Sequence, residues 1–202
     1  MTIVPTLLIG LGGIGCNVVD RVFARIPVER RDRVLVHGFD TDVNSIAKLT
    51  HLGRDRVTQT SRPWTVRQYL AQAPESVREW FPDKNPDLLR KPLTEGAGQI
   101  RVVSRLAYRA TLETDALIRL GQQIKDLFFA SGTDASTAVR VMFVSSLAGG
   151  TGSGLFIQVA MFLRELLESQ YEKPVVLVRG AFLLPDTLIL TQVLDKEEPD
   201  YQ

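Results

Sequence analysis

Thiol and imidazole chemistry is nearly absent from this chain. Its single cysteine, Cys16, rules out an intramolecular disulfide and points to a reducing compartment. Cys16 lies two residues after Ile14 at a predicted helix start, with no base near it in sequence, and reads as a packed small residue rather than a nucleophile. The two histidines, His37 and His51, make no metal-ligand spacing with each other or with Cys16. Long hydrophobic runs are also missing: no apolar stretch reaches the roughly 20 residues that a membrane-spanning helix needs. Met1 to Pro5 carries no basic segment, so no secretory signal is expected and the cytoplasm is the default location. The net charge is only +1, which implies no global attraction to nucleic acid or membrane. Lysine is scarce beside arginine, and many arginines lie between Arg54 and Arg109, as a solvated face or a surface for phosphate or acidic partners. Finally, no G-K-[ST] follows any glycine turn, so a Walker P-loop is excluded.

What is present is a globular composition, 45% hydrophobic and 23% charged over 202 residues, enough for one large domain with a substantial core. The chain is organised around Ser145-Ser146-Leu147-Ala148-Gly149-Gly150-Thr151-Gly152-Ser153-Gly154. The apolar run Val139 to Val144 precedes it and reads as a buried strand, while Leu155 to Gln170 reads as an amphipathic helix. Four glycines in the six residues from Gly149 leave little side-chain bulk, so backbone N–H groups can approach an anion at the start of a helix.

The rest of the chain alternates in the same way. Thr6 to Ile9 predicts a strand that runs into Gly10-Leu11-Gly12-Gly13-Ile14-Gly15. Ile14, Val18, Val22 and Ile26 then recur at spacing four, with Val19 and Phe23 beside them, which predicts one face of a helix. Val34 to Phe39 predicts a second strand, closed by Asp40-Thr41-Asp42, and a short helix is expected from about Val43 to Leu49. Between Thr50 and Asn85 prolines punctuate the chain and the pattern is weak. Short helices fit around Thr65 to Gln72 and Glu75 to Trp80, with Trp64, Trp80 and Phe81 in a local cluster. Thr94 to Gln99 is another small-residue loop. Arg101 to Ala130 predicts one long amphipathic helix, and Pro174 to Val178 a fourth strand. Nearly pure apolar strands alternating with helices predict an α/β fold: a doubly wound, mainly parallel sheet with helices on both faces. The expected organisation is one domain over 1–190, with a proline-punctuated insertion at about 50–93 and a polar, acidic tail or truncation point at 191–202.

Gly10, Gly12 and Gly15 satisfy G-x-G-x-x-G between a strand and a helix, and Asp40 lies about where a ribose-binding carboxylate would sit. Alone, that favours an NAD(P)- or FAD-binding Rossmann oxidoreductase. The second, richer glycine loop is not required by a dinucleotide fold. Together the loops resemble the tubulin/FtsZ superfamily of self-assembling GTPases. Ala148 to Gly154 is similar to its signature GGGTG[ST]G, with alanine in place of the leading glycine, and Gly10 to Asn17 resembles its first phosphate loop. Phe39-Asp40-Thr41-Asp42 resembles x-N-T-D, with Asp40 replacing asparagine, and Gly96-Ala97-Gly98-Gln99 resembles the loop that senses the terminal phosphate. Ala181-Phe182 followed by Pro185-Asp186 lies where a sugar-contacting loop belongs.

The resemblance implies a divergent bacterial tubulin-like protein that binds GTP or GDP, with Mg2+ carried by the nucleotide, and assembles head to tail when intact. It implies Gly12, Gly13 and Gly15 near the inner phosphates, with Asn17 at the base. Ala148, Gly149, Gly150, Thr151, Gly152 and Ser153 would lie along the phosphate chain, Ala97, Gly98 and Gln99 at the terminal phosphate, and Asp186 at the ribose. Asp40 and Thr41 belong to the second loop, and Asp42 is either a holder of a magnesium-bound water or a solvated helix-start aspartate. The superfamily's water-positioning loop, N-x-D-x-x-D, does not occur in these residues, so hydrolysis would require groups outside this chain. A scaffold that keeps the fold without nucleotide is the remaining alternative. On the nucleotide reading, a β-branched residue at Gly150 or Gly152 is expected to abolish GTP binding and leave the fold intact.

Overall fold

The apolar runs become the strands of one parallel sheet. The computed structural model describes residues 4–82, 84–94, 100–130, 138–170 and 175–190. Its strands are β1 (Thr6–Leu11), β2 (Val34–Asp40), β3 (Val57–Gln59), β4 (Ala138–Ser146) and β5 (Val175–Leu183), in the order β3-β2-β1-β4-β5. Every pairing is parallel, and the register aligns Leu11 with Phe39 on one side and with Ser145 on the other. The strands therefore end together along one rim. Strand order reverses between β1 and β4, and open α/β sheets bind ligands outside the carboxyl ends of strands at such a point.

Helix α1 (Gly12–Arg25) covers one face of the sheet, where Val19 packs with Leu8, Val36 and Val144. Helices α6 (Arg101–Leu112), α7 (Ile118–Ala130) and α8 (Gly150–Gln170) cover the other. There Leu7, Ile9, Val141 and Phe143 meet Tyr108, Leu120, Ile124, Leu155, Val159 and Leu163. Burying each of these large side chains contributes roughly 1.5–3 kcal/mol. The short helices α2 (Val43–Ala47), α3 (Val66–Leu70), α4 (Glu75–Arg78), α5 (Pro86–Arg90) and α9 (Pro185–Leu190) complete the described α-helices. Three of them, α3 to α5, build a second cluster on α6 from Val66, Tyr69, Val77, Phe81, Leu88, Leu106 and Ala110. Arginines of this basic segment stack on its rings: Arg105 lies 4.2 Å from the Trp80 centroid and Arg62 5.0 Å from that of Trp64.

The structure differs from the sequence expectation at four places, each with a local cause. The long helix expected over 101–130 is two helices separated by a turn. Thr114 breaks it: its hydroxyl donates to Thr111 O at 2.7 Å and accepts from Ala116 N at 3.2 Å, competing with the helical backbone ladder. The buried side of α1 is Gly12, Gly15, Cys16, Val19 and Asp20, whereas Val18 and Val22 are exposed. Small residues win that face because the helix touches strand backbone. A Cβ on Gly10 would lie 2.6 Å from Gly15 O, and one on Gly15 would overlap Val144 O. Asp20 is buried because its carboxylate accepts from the backbone N–H groups of Thr50, His51 and Leu52 at 2.7–3.3 Å, pinning the loop beyond α2. At the third place, β4 and β5 run further than expected, to Ser146 and Leu183, and α8 already begins at Gly150. Much of the glycine motif is therefore helix, and the turn is only Leu147 to Gly149. The fourth is β3, a three-residue strand too short to leave a periodic signal.

Candidate functional site

Two helices start side by side at the reversal point. Leu11, at the N-cap of α1, offers no side-chain cap, and neither α1 nor α8 has an acidic residue in its first turn. The residue before α8 is Gly149, which has no side chain to cap it, so neither start is capped by the side chain that precedes it. The two turns are in direct contact. Gly12 has φ +70°, the left-handed region that favours glycine, and a Cβ there would lie 2.9 Å from Gly152 N. A Cβ on Gly152 would lie 2.8 Å from Leu11 O and would overlap the Ser145 hydroxyl. Gly154 faces α6, with Arg101 O only 2.6 Å from its Cβ position. Around Gly149, in contrast, no described residue lies within 4 Å of that position.

The loop after β2 closes the third side. Thr41 Oγ1 and Thr151 Oγ1 are 2.8 Å apart and share a hydrogen bond. Asp40 is 2% exposed; its Oδ1 accepts from Thr41 N at 2.7 Å and Asp42 N at 3.2 Å, while its Oδ2 is buried without a hydrogen-bond partner. That orphaned oxygen lies 3.6 Å from the Cβ position of Gly13, at the mouth of α1. Burial pushes the Asp40 carboxyl up to about 6; the two backbone N–H bonds oppose the shift and the nearby Asp42 charge adds to it. Asp42 is the N-cap of α2, accepting from Asn44 N, Ser45 N and Ser45 Oγ. The Ser45 hydroxyl, then those N–H groups, hold its carboxyl below the usual range.

The structure thus brings Gly12, Gly13, Gly15, Asp40, Thr41, Gly149, Gly150, Thr151, Gly152 and Ser153 to one rim. The Ser153 hydroxyl donates to Gly149 O, and Ala148 N donates to Ser146 Oγ at 3.2 Å. Asn17 is exposed on α1, and Asp186 is exposed in the first turn of α9, beyond the point where Leu147 N bonds Leu183 O at 2.9 Å. Ala97, Gly98 and Gln99 lie outside the described residues. Periodicity did not reveal Ser104, whose hydroxyl donates to Gly150 O at 2.9 Å, or Arg101, whose Nη2 donates to Leu147 O at 3.0 Å. Both sit at the start of an amphipathic helix, where no pattern separates a helix-face residue from one that touches a neighbouring turn.

Away from this rim, Cys16 and His37 are internal. Cys16 is 1% exposed, with Sγ against Gly10 O and Phe39 O, and burial pushes its thiol up. His37 bonds Thr58 Oγ1 through Nε2 at 2.8 Å, and burial lowers it to about 4, so it is neutral at neutral pH. Among the described residues no three or more His, Cys, Asp or Glu side chains cluster as metal ligands, and no helix is long and apolar enough to cross a membrane.

A parallel sheet whose two helix starts and a hydroxyl-bearing loop meet at the reversal point defines a doubly wound α/β domain. The chain matches the tubulin-like family over residues 7–199 and belongs to it. No functionally curated protein matches it in sequence. Among solved structures, CetZ from Methanosaeta thermophila is similar with a TM-score of 0.53 and 16% identity, over 98% of this chain and 39% of that one. CetZ1 from Haloferax volcanii, a GDP-bound monomer, gives 0.48 and 18%, over 88% and 40%. A GTPγS-form protofilament of TubZ from Bacillus thuringiensis gives 0.47 and 15%, over 96% and 41%. The chain therefore spans about two fifths of the length of these structures.

Proposed function

We propose that the chain is the guanine-nucleotide-binding portion of a tubulin-like, self-assembling protein. The observation that carries this reading is the contact of the two glycine turns. Gly12 and Gly152 lock the starts of α1 and α8 together, so two sets of uncapped N–H groups face one crevice, flanked by the Thr41 and Thr151 hydroxyls. The residues fit a phosphate chain: among the described residues the space at the Cβ position of Gly149 is open, and the Thr151 hydroxyl, paired with Thr41, lies at the same helix start. Gly13 and Gly149 would lie against phosphate oxygens, Asn17 and Asp186 would reach base and ribose, and Ala97, Gly98 and Gln99 would border the terminal phosphate. The orphaned Oδ2 of Asp40 suits a Mg2+-bound water, a role better matched to it than to Asp42, whose oxygens cap α2. Bound Mg2+ would neutralise charge on the phosphate chain.

On this reading these residues hold and orient, and, as the resemblance implies, the carboxylate that positions water would come from outside this chain. Head-to-tail association belongs to the longer protein that such a domain would serve, and a TubZ from Bacillus thuringiensis has been solved as protofilaments. The dinucleotide alternative is disfavoured because Asp40 is buried and half occupied by backbone donors, not presented to a ribose. The test is mass spectrometry of the ligand released from gently purified protein. GDP or GTP is expected; NAD or FAD would overturn the reading. An empty protein whose melting temperature ignores GTP would identify a nucleotide-free scaffold.

A further inference from the structure

We infer that Arg101 is a terminal-phosphate ligand that makes this site prefer a nucleoside triphosphate over the diphosphate; this rests on the nucleotide reading above. Helix α6 is clamped to the first turn of α8. Arg101 O lies against Gly154 where any side chain would intrude, and the buried Ser104 hydroxyl donates to Gly150 O at 2.9 Å. The clamp fixes the start of α6 beside the turn, and the Arg101 guanidinium donates to Leu147 O at 3.0 Å. That bond anchors one edge of the group. A guanidinium has five N–H donors in a planar fork, so the other edge remains for an acceptor. Arg101 is exposed, and among the described residues no carboxylate pairs with it.

Leu147 is two residues from Gly149, where the rim is open. A phosphate chain that runs over the α8 start toward Leu147 would bring its outer end to this anchored cation. The orphaned Oδ2 of Asp40, buried on the same rim, independently marks it as built for a ligand beyond the protein's own groups. The geometry is that of a cation added at the end of an anion site made of neutral donors. Its contribution falls on the outermost, most highly charged phosphate.

The experiment compares GDP with the slowly hydrolysed GTPγS on the full chain with Mg2+, in wild type, Arg101→Ala and Arg101→Lys, with thermal melts alongside. Because Arg101 is exposed, both variants should melt within a few degrees of wild type. Arg101→Ala should weaken GTPγS about tenfold or more and GDP less than about twofold, the size expected for losing one charge-assisted contact. Arg101→Lys should fall between, keeping the charge and losing the fork. Equal weakening of both nucleotides, or of neither, overturns the role of Arg101 while leaving nucleotide binding standing. If wild type binds neither nucleotide, the functional reading fails and this inference fails with it.

Discussion

The two glycine turns look alike in sequence and are built for different ends. In the turn from β1 to α1, Gly10 and Gly15 let a helix lie directly on strand backbone, and Gly12 supplies the one left-handed glycine among the described residues. Only Gly13, beside the orphaned Asp40 oxygen, borders the crevice without a tight backbone contact. In the turn from β4 to α8, Gly152 and Gly154 are likewise packing positions, against Leu11 O and Arg101 O, but the Cβ position of Gly149 meets no described residue. A run of glycines after a strand thus mixes two roles. Some remove a Cβ so that protein can approach protein, and some leave space that a ligand would fill.

The largest effect should come from placing a side chain where protein already sits. Gly15→Val and Gly152→Val should each destabilise by about 3 kcal/mol or more, a fall in melting temperature of roughly 6–12 °C for a domain of this size. For Gly152 this revises the expectation that a β-branched residue would spare the fold. A melt unchanged to within 2 °C or so would show that the turns are not interlocked.

Asp40→Asn should act in the opposite direction. The Asp40 carboxyl is raised to about 6 from an ordinary value of 3.8, so its charge destabilises the folded state. That penalty is absent below pH 4, grows as pH rises from 4 to 6, and is complete above 6. The asparagine keeps an acceptor for the Thr41 and Asp42 N–H groups. It should stabilise the nucleotide-free chain by about 1–2 kcal/mol at pH 7.5 and by almost nothing near pH 4. A gain equal at both pH values would contradict a buried, charged Asp40. Thr151→Ala should be milder, about 1 kcal/mol, for loss of its 2.8 Å bond to Thr41. Adding Thr41→Ala should cost less than the sum of the two, and strict additivity would mean the hydroxyls do not couple.

The smallest stability effect sharpens the comparison most. Gly149→Val should change stability by no more than about 0.5 kcal/mol, because its φ is ordinary and no described residue fills the space. It should still weaken GTP at least tenfold by filling the crevice. Undiminished binding would make Gly149 a bystander.

Four of the five strands, their order of appearance and both glycine turns were legible in the sequence because long apolar runs and clustered glycines are strong local signals. The tubulin-like motif pointed to the family that the chain proves to match over 7–199. Side-chain detail was less legible. The spacing of Ile14, Val18, Val22 and Ile26 marked the wrong face of α1, since contact with strand backbone favours Gly15 and Cys16 over larger apolar residues. The break at Thr114 depends on one hydroxyl, which hydrophobic periodicity does not register. The anchoring of Arg101 and Ser104 depends on how α6 meets α8, a tertiary contact with no sequence period.

The measurement that bears most directly on the central claim is the melting temperature of the wild-type chain with and without excess GTP and Mg2+, with NAD in parallel. A site at the junction of the two turns predicts that GTP at about a hundred times its dissociation constant adds roughly 2.7 kcal/mol, a rise of about 5–11 °C, while NAD adds nothing. No shift with GTP, or a shift with NAD alone, would contradict it.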